Sequence, residues 1–136
     1  MDDGIVVFDT SILIDHVRTD CHAERMANLN RLVRFSSVVL AEFWRGTKSV
    51  AEREFLYEIE KNYPILTPTE KNWLESGLIL ARIRAEHGFE SNKLRDLHFD
   101  VLIALTARSH GAKLITSNRA DFELIRAYRD FNLEVW

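Results

Sequence analysis

Near the start of the chain, Ile5-Val6-Val7-Phe8 runs without a polar residue and stops at Asp9-Thr10-Ser11. A short, continuous, mostly β-branched run of this kind suits a central parallel strand buried on both faces. The polar residues behind it can cap a helix, and Ile12, Leu13 and Val17 follow at near-helical spacing. Asp9 is therefore expected where a strand ends and a helix begins. Lys113-Leu114-Ile115-Thr116 repeats the pattern late in the chain, followed by Ser117-Asn118.

Between these two runs the sequence alternates short strand-like pieces with longer helical patterns. A helix is expected over about residues 22–32. Arg34-Phe35-Ser36 is expected to form a brief strand, with Ser37 capping a helix from Val38 to Arg45 that Gly46 stops. Residues 49–61 and 69–86 carry helical patterning on either side of Tyr63-Pro64-Ile65-Leu66-Thr67-Pro68, whose prolines fall at or beyond a strand's ends. Gly88 is the expected end of the second of these helices. Residues 89–95 read as a loop, Leu97 to His110 as a helix closed by Gly111, residues 117–129 as a turn and short helix, and Leu133 to Trp136 as a last strand. Short strands alternating with helices point to an α/β fold, a three-layer sandwich around a central parallel sheet.

With 136 residues, 46% of them apolar, the chain can bury a core as one domain spanning 1–136. The single cysteine cannot close an internal disulfide, and Met-Asp-Asp-Gly is not a basic and then apolar leader, so a cytoplasmic protein is expected. Apolar stretches such as Gly77-Leu78-Ile79-Leu80-Ala81 fall far short of the roughly 20 residues that cross a bilayer. A formal net charge of -3 gives no general attraction to nucleic acid, so phosphate affinity has to come from local Arg or Lys or from a bound cation.

Four acids stand out by context among the 21 Asp and Glu residues. Asp9 lies at the carboxyl end of the first strand, the edge where open parallel sheets place ligands; an ordinary helix cap would look the same. Asp100 heads an apolar stripe of Ile103, Ala104 and Ala107, a costly place for a carboxylate unless it is paired or metal-bound. A first-turn position at the helix dipole is the bland alternative, with Asp96 one turn earlier. Glu42 is embedded in Val38-Val39-Leu40-Ala41-Glu42-Phe43-Trp44 and could simply pair with Arg45. Asp121 follows the late strand, where a turn-forming Asp is common. One shared cluster explains all four, and a hard divalent cation, Mg²⁺ or Mn²⁺, would relieve their mutual repulsion. Zinc is disfavoured at such a site, because one Cys and five scattered His offer no ligand spacing.

Val7-Phe8-Asp9-Thr10-Ser11-Ile12-Leu13-Ile14, the segment Ser36 to Gly46 around Glu42, Asp100-Val101-Leu102-Ile103-Ala104-Leu105-Thr106-Ala107, and Gly111 to Phe122 together resemble the PIN-domain family, and within it the VapC-like toxins of toxin–antitoxin pairs. The resemblance implies a PIN-like fold with a five-stranded parallel sheet. It implies Asp9, Glu42 and Asp100 as an acidic triad, Asp121 as a fourth acid, and Thr116 and Asn118 as polar support, with Ser11 a further supporting hydroxyl. It also implies in-line hydrolysis of RNA by metal-activated water, leaving 5′-phosphate and 3′-hydroxyl ends. The implied partners are a small VapB-like antitoxin, operator DNA bound only through the toxin–antitoxin complex, and a second copy of the chain in a homodimer. Arg45, Arg95 and Arg119 adjoin the motif residues and are the expected RNA contacts. Phe43, Trp44 and the helix over 49–61 with Phe55, Leu56 and Ile59 offer an apolar docking surface for the antitoxin, and core packing is the commoner use of such a stripe.

Three other readings remain. A haloacid-dehalogenase-like phosphatase also places a nucleophilic Asp after its first strand, but within Asp-x-Asp, and Ser11 holds the second position here. A phospho-acceptor receiver domain would use Asp2, Asp3 and Asp9 as its pocket. The third is a PIN fold kept as a binding module without activity.

Overall fold

The computed structural model describes residues 4–136, so Asp2 and Asp3 lie outside the described residues. The chain runs β1 (Ile5–Phe8), α1 (Thr10–Thr19), α2 (Ala23–Ala27), β2 (Leu32–Ser36), α3 (Ser37–Arg45), α4 (Val50–Asn62), β3 (Ile65–Leu66), α5 (Glu70–His87), α6 (Ser91–Ser109), β4 (Lys113–Thr116), α7 (Arg119–Arg126) and β5 (Leu133–Val135). The strands form one five-stranded sheet in the order β3-β2-β1-β4-β5, with every pairing parallel.

The two apolar runs became adjacent central strands. Val6 pairs with Lys113, Val7 with Leu114 and Phe8 with Ile115, and Val6, Val7, Leu114 and Ile115 are fully buried. From β1 the chain moves outward through β2 to β3, then crosses back over β1 to reach β4. The order therefore reverses between β1 and β4, and in open parallel sheets the crevice at the carboxyl end of such a reversal is where ligands bind. Helices α1, α3 and α4 pack among themselves, as do α5, α6 and α7, while α3 and α6 meet each other. That α3–α6 contact joins the two helical layers.

Three expected boundaries moved. The helix expected over 22–32 is the short α2, and the chain is already extended from Leu32, because pairing with Ile5 claims it for the sheet. Ser36 rather than Ser37 caps α3: its hydroxyl accepts the Val38 and Val39 N–H groups, while Ser37 Oγ donates to Thr67 Oγ1 at 3.1 Å. The segment 89–95, expected as a loop, is helical from Ser91, so the turn between α5 and α6 shrinks to Gly88-Phe89-Glu90. Gly88 makes that turn with a φ of 65°, a left-handed conformation that other residues rarely adopt. Helix α6 gains two turns by this shift. Asp100 consequently sits mid-helix, which removes the helix-dipole explanation for it.

The buried apolar side chains form one cluster, in which Phe43, Leu56, Ile83, Leu97 and Phe122 are completely enclosed. Arg18 and the buried Glu52 tie α1 to α4 through a 3.0 Å ion pair. No helix among the described residues is long and apolar enough to cross a membrane.

Candidate metal centre

Asp9 is the first residue beyond β1, and its N–H continues the ladder by donating to the Ile115 carbonyl at 2.8 Å. The register that pairs Phe8 with Ile115 places Asp9 beside Thr116, and Thr116 Oγ1 donates to Asp9 Oδ2 at 2.8 Å. Ser11 Oγ donates to the same oxygen at 2.8 Å. Asp9 occupies the cap position of α1 without a side-chain capping bond, and its carboxylate is held by the Thr116 and Ser11 hydroxyls. Two hydroxyls hold Oδ2 and neither uses Oδ1.

Helix α3 begins directly at the end of β2, so Glu42 comes round beside the same sheet edge. Thr10 Oγ1 donates to Glu42 Oε1 at 2.8 Å, and the junction after β1 thus fixes two acids through consecutive hydroxyl residues. Thr10 was read from the sequence only as part of a cap; its hydroxyl at an acid 32 positions away has no local signal. Asp100 arrives from α6 across the α3–α6 contact. One carboxylate oxygen each from Asp9, Glu42 and Asp100 lies within 4.8 Å of the others.

Asp121 stands beside this group without joining it. Lys93 Nζ donates to Asp121 Oδ1 at 2.7 Å, and Asn118 Nδ2 donates to Oδ2 at 3.1 Å. Asn118 caps α7, its Oδ1 accepting the Asp121 N–H, and its own N–H donates to Thr116 Oγ1 at 2.9 Å. Thr116 therefore links the Asp9 carboxylate to the loop that carries Asp121. Lys93, within the supposed loop, lies seven residues before Asp100 and so on the same face of α6. The signal for it was the helical phase of Lys93, Asp96 and Asp100, which the loop reading concealed.

Burial raises the proton affinity of all three acids. Burial raises Asp9, opposed by the Thr116 and Ser11 hydroxyls. Burial also raises Glu42, opposed by the Thr10 hydroxyl and reinforced by Asp9. Asp100 is pushed to about 8 by burial first and then by Asp9, Glu42 and Asp121, with Lys93 opposing. In the unfolded chain Asp100 returns to about 3.8, so between those values the folded protein binds the extra proton. The metal-free protein should then lose stability as pH rises from about 3.8 through about 8. Asp100→Asn should flatten that decline and raise the melting temperature at the alkaline end; melts in chelator across this window check it, and a parallel decline in the variant would contradict it.

The three arginines separate. Arg45 is exposed, with its guanidinium 5.0 Å from the Phe99 ring centre, and its charge favours the ionised form of Glu42. Arg119 is exposed at the first residue of α7. Arg95 instead bonds Asn92 at 2.6 Å and lines a depression between α5 and α6 with Leu80, Arg84 and His98, away from the acids. Of the two readings of the apolar stripe, core packing is the one found for Phe43, Leu56 and Ile59, because those α3 and α4 faces pack inward. Trp44 remains half-buried, edge-on to the exposed Tyr57 at 4.9 Å.

Residues 6–128 match the family model described as "PIN domain". No curated protein matches the chain in sequence. Among solved structures, a chain of the Rickettsia felis VapBC2 complex bound to a promoter DNA fragment is 24% identical, with a TM-score of 0.72 over 97% of this chain and 98% of that one. A chain of DNA-bound VapBC from Salmonella typhimurium is also 24% identical, with a TM-score of 0.69 over 100% and 99%. A chain of FitAB bound to the IR36 DNA fragment is 21% identical, with a TM-score of 0.60 over 96% and 94%. At these identities the likeness is one of fold.

Proposed function

The chain belongs to the PIN domain family, and on that premise we propose that it is a divalent-metal-dependent endoribonuclease acting as the toxin of a VapBC-like pair. The observation that carries the reading is the convergence of Asp9, Glu42 and Asp100 within 4.8 Å at the reversal of the sheet. Structural carboxylates are normally paired with cations or spread over solvent, and three held together in a crevice raise one another's energy. The donors are all oxygen, the set that Mg²⁺ or Mn²⁺ prefers. The residues present therefore fit a hard divalent ion.

Asp9, Glu42 and Asp100 would hold that ion, with Asp121 contacting it through water or on release from Lys93. Bound there, Mg²⁺ or Mn²⁺ supplies positive charge against a phosphodiester and a water of lowered pKa. The chain's own contribution is placement. Ser11 and Thr116 fix one Asp9 oxygen, Thr10 fixes Glu42, and α6 sets Asp100 opposite both. Arg45, whose charge reaches Glu42, and Arg119, exposed at the first residue of α7, would neutralise RNA phosphates near the cut bond. In this reading the protein is cytoplasmic and dimeric, its antitoxin crosses the crevice, and operator DNA is bound through the antitoxin. The solved neighbours, VapBC and FitAB complexes bound to DNA, support that assignment.

The family match over residues 6–128 leaves the dehalogenase-like and receiver readings without support. An inactive binding module is the reading still to separate. Calorimetric titration of the metal-free protein with Mn²⁺, followed by incubation with single-stranded RNA, does so. Saturable Mn²⁺ binding with cleavage that chelator stops and that leaves 5′-phosphate ends is expected. Intact RNA at saturating Mn²⁺, whether alone or after release from any co-purified antitoxin, would refute the nuclease.

A further inference from the structure

We propose a second cation site, for a thiophilic divalent ion of the Zn²⁺ class, at the turn between α1 and α2, built from Asp15, Cys21 and His22. One oxygen of Asp15, the Cys21 sulfur and one imidazole nitrogen of His22 lie within 4.8 Å of one another. They form a group separate from the acidic triad, and the chemistry of the donors differs. Oxygen, nitrogen and sulfur together suit Zn²⁺ or Co²⁺ and not Mg²⁺.

The backbone makes the group. Asp20 ends α1 in the left-handed region at φ 56°, its N–H bonded to the Asp15 and His16 carbonyls, and this folds the chain back over the last turn of the helix. Cys21 and His22 are returned to the level of Asp15. Thr19 ties the turn further, its hydroxyl donating to the Asp15 carbonyl and accepting the Cys21 N–H. The His22 side chain is only 10% exposed and its ring lies 5.6 Å from that of Trp136, so its direction is set by packing. Its Nε2 faces Asp15 Oδ2 at 3.3 Å. Cys21 is exposed, which leaves a path for an ion to enter.

Donors on one tetrahedral zinc lie about 3.5 Å apart, given metal–ligand bonds of roughly 2.0–2.3 Å. The His22–Asp15 pair, at 3.3 Å, already has that spacing, and the sulfur of the exposed Cys21 lies within 4.8 Å of both. The thiol would bind as thiolate, releasing its proton, and water would fill the fourth position. Such an ion would staple α2 to the end of α1 and so stabilise the fold by mass action. This inference does not depend on the nuclease reading, because its donors and its readout are separate.

The test is titration of Co²⁺ into the full chain kept reduced with a phosphine. Because the chain has one cysteine, a thiolate-to-cobalt charge-transfer band reports Cys21 alone. With excess Mg²⁺ holding the acidic triad, the band should saturate at one equivalent, yield to Zn²⁺, persist in Asp9→Asn and vanish in Cys21→Ser, and the rise in melting temperature that Co²⁺ brings should be lost in Cys21→Ser. Asp15→Asn and His22→Gln should each weaken Co²⁺ binding by about tenfold or more. Absence of the band, unchanged affinity in either of those two variants, or saturation at half an equivalent with two thiolates from two chains would each overturn the proposal.

Discussion

Asp100→Asn is expected to lower Mn²⁺-dependent RNA cleavage by at least about a thousandfold, equivalent to roughly 4 kcal/mol of transition-state stabilisation. The substitution keeps the size of the side chain and removes the charge that the other acids press against. Asp100 is the acid whose proton affinity responds to Asp9, Glu42 and Asp121 together, so it faces the whole cluster. An amide there cannot supply the anionic oxygen that a hard cation prefers. The loss should appear in single-turnover cleavage at saturating RNA and should not be recovered by more Mn²⁺. The same variant should be folded and, without metal at neutral pH, more stable than the parent. Activity and stability therefore move in opposite directions, which separates loss of a metal ligand from loss of the fold. Retention of a tenth or more of the parent's cleavage would remove Asp100 from the metal-holding set.

Phe43→Ala is expected to cost about 3–5 kcal/mol of folding stability, a large share of the roughly 5–15 kcal/mol that a domain possesses. Phe43 is completely buried on α3, immediately after Glu42, and lies 6.2 Å ring to ring from Phe55 on α4. Removing the ring leaves a cavity between two helices whose positions also set Glu42. Urea unfolding should show a lower midpoint with an unchanged slope. A loss below about 1 kcal/mol would contradict the core role assigned to Phe43.

Particular elements show what could be read locally. The strands β1 and β4 were legible because continuous apolar runs have no other comfortable place than a sheet interior, and Gly88 and Gly111 were legible as helix ends. The beginning of α6 was not. Ser91-Asn92-Lys93 is polar and lacks a hydrophobic stripe, and it is helical because Leu94 and Leu97 anchor the following turn against the core. Misplacing that boundary gave Asp100 a helix-dipole explanation it does not have and hid Lys93. Cys21 and His22 were counted among scattered donors, although a left-handed Asp20 brings both to Asp15. Arg95 lies near the Asp100 motif in sequence yet turns toward α5, since the five-residue step between them is roughly 140° around the helix.

By itself, the sequence determined the alternation of strands and helices, the family pattern and the placing of Asp9 at the end of a buried strand. These follow from hydrophobic periodicity and capping, which act over a few residues. The tertiary structure decided which acids meet, which hydroxyls hold them, and which aromatic residues are core. Thr116 reaches Asp9 across 107 positions and Thr10 reaches Glu42 across 32, distances set by strand order and helix packing. No local preference encodes such contacts, because they exist only after the sheet has reversed its order between β1 and β4 and brought α3 against α6.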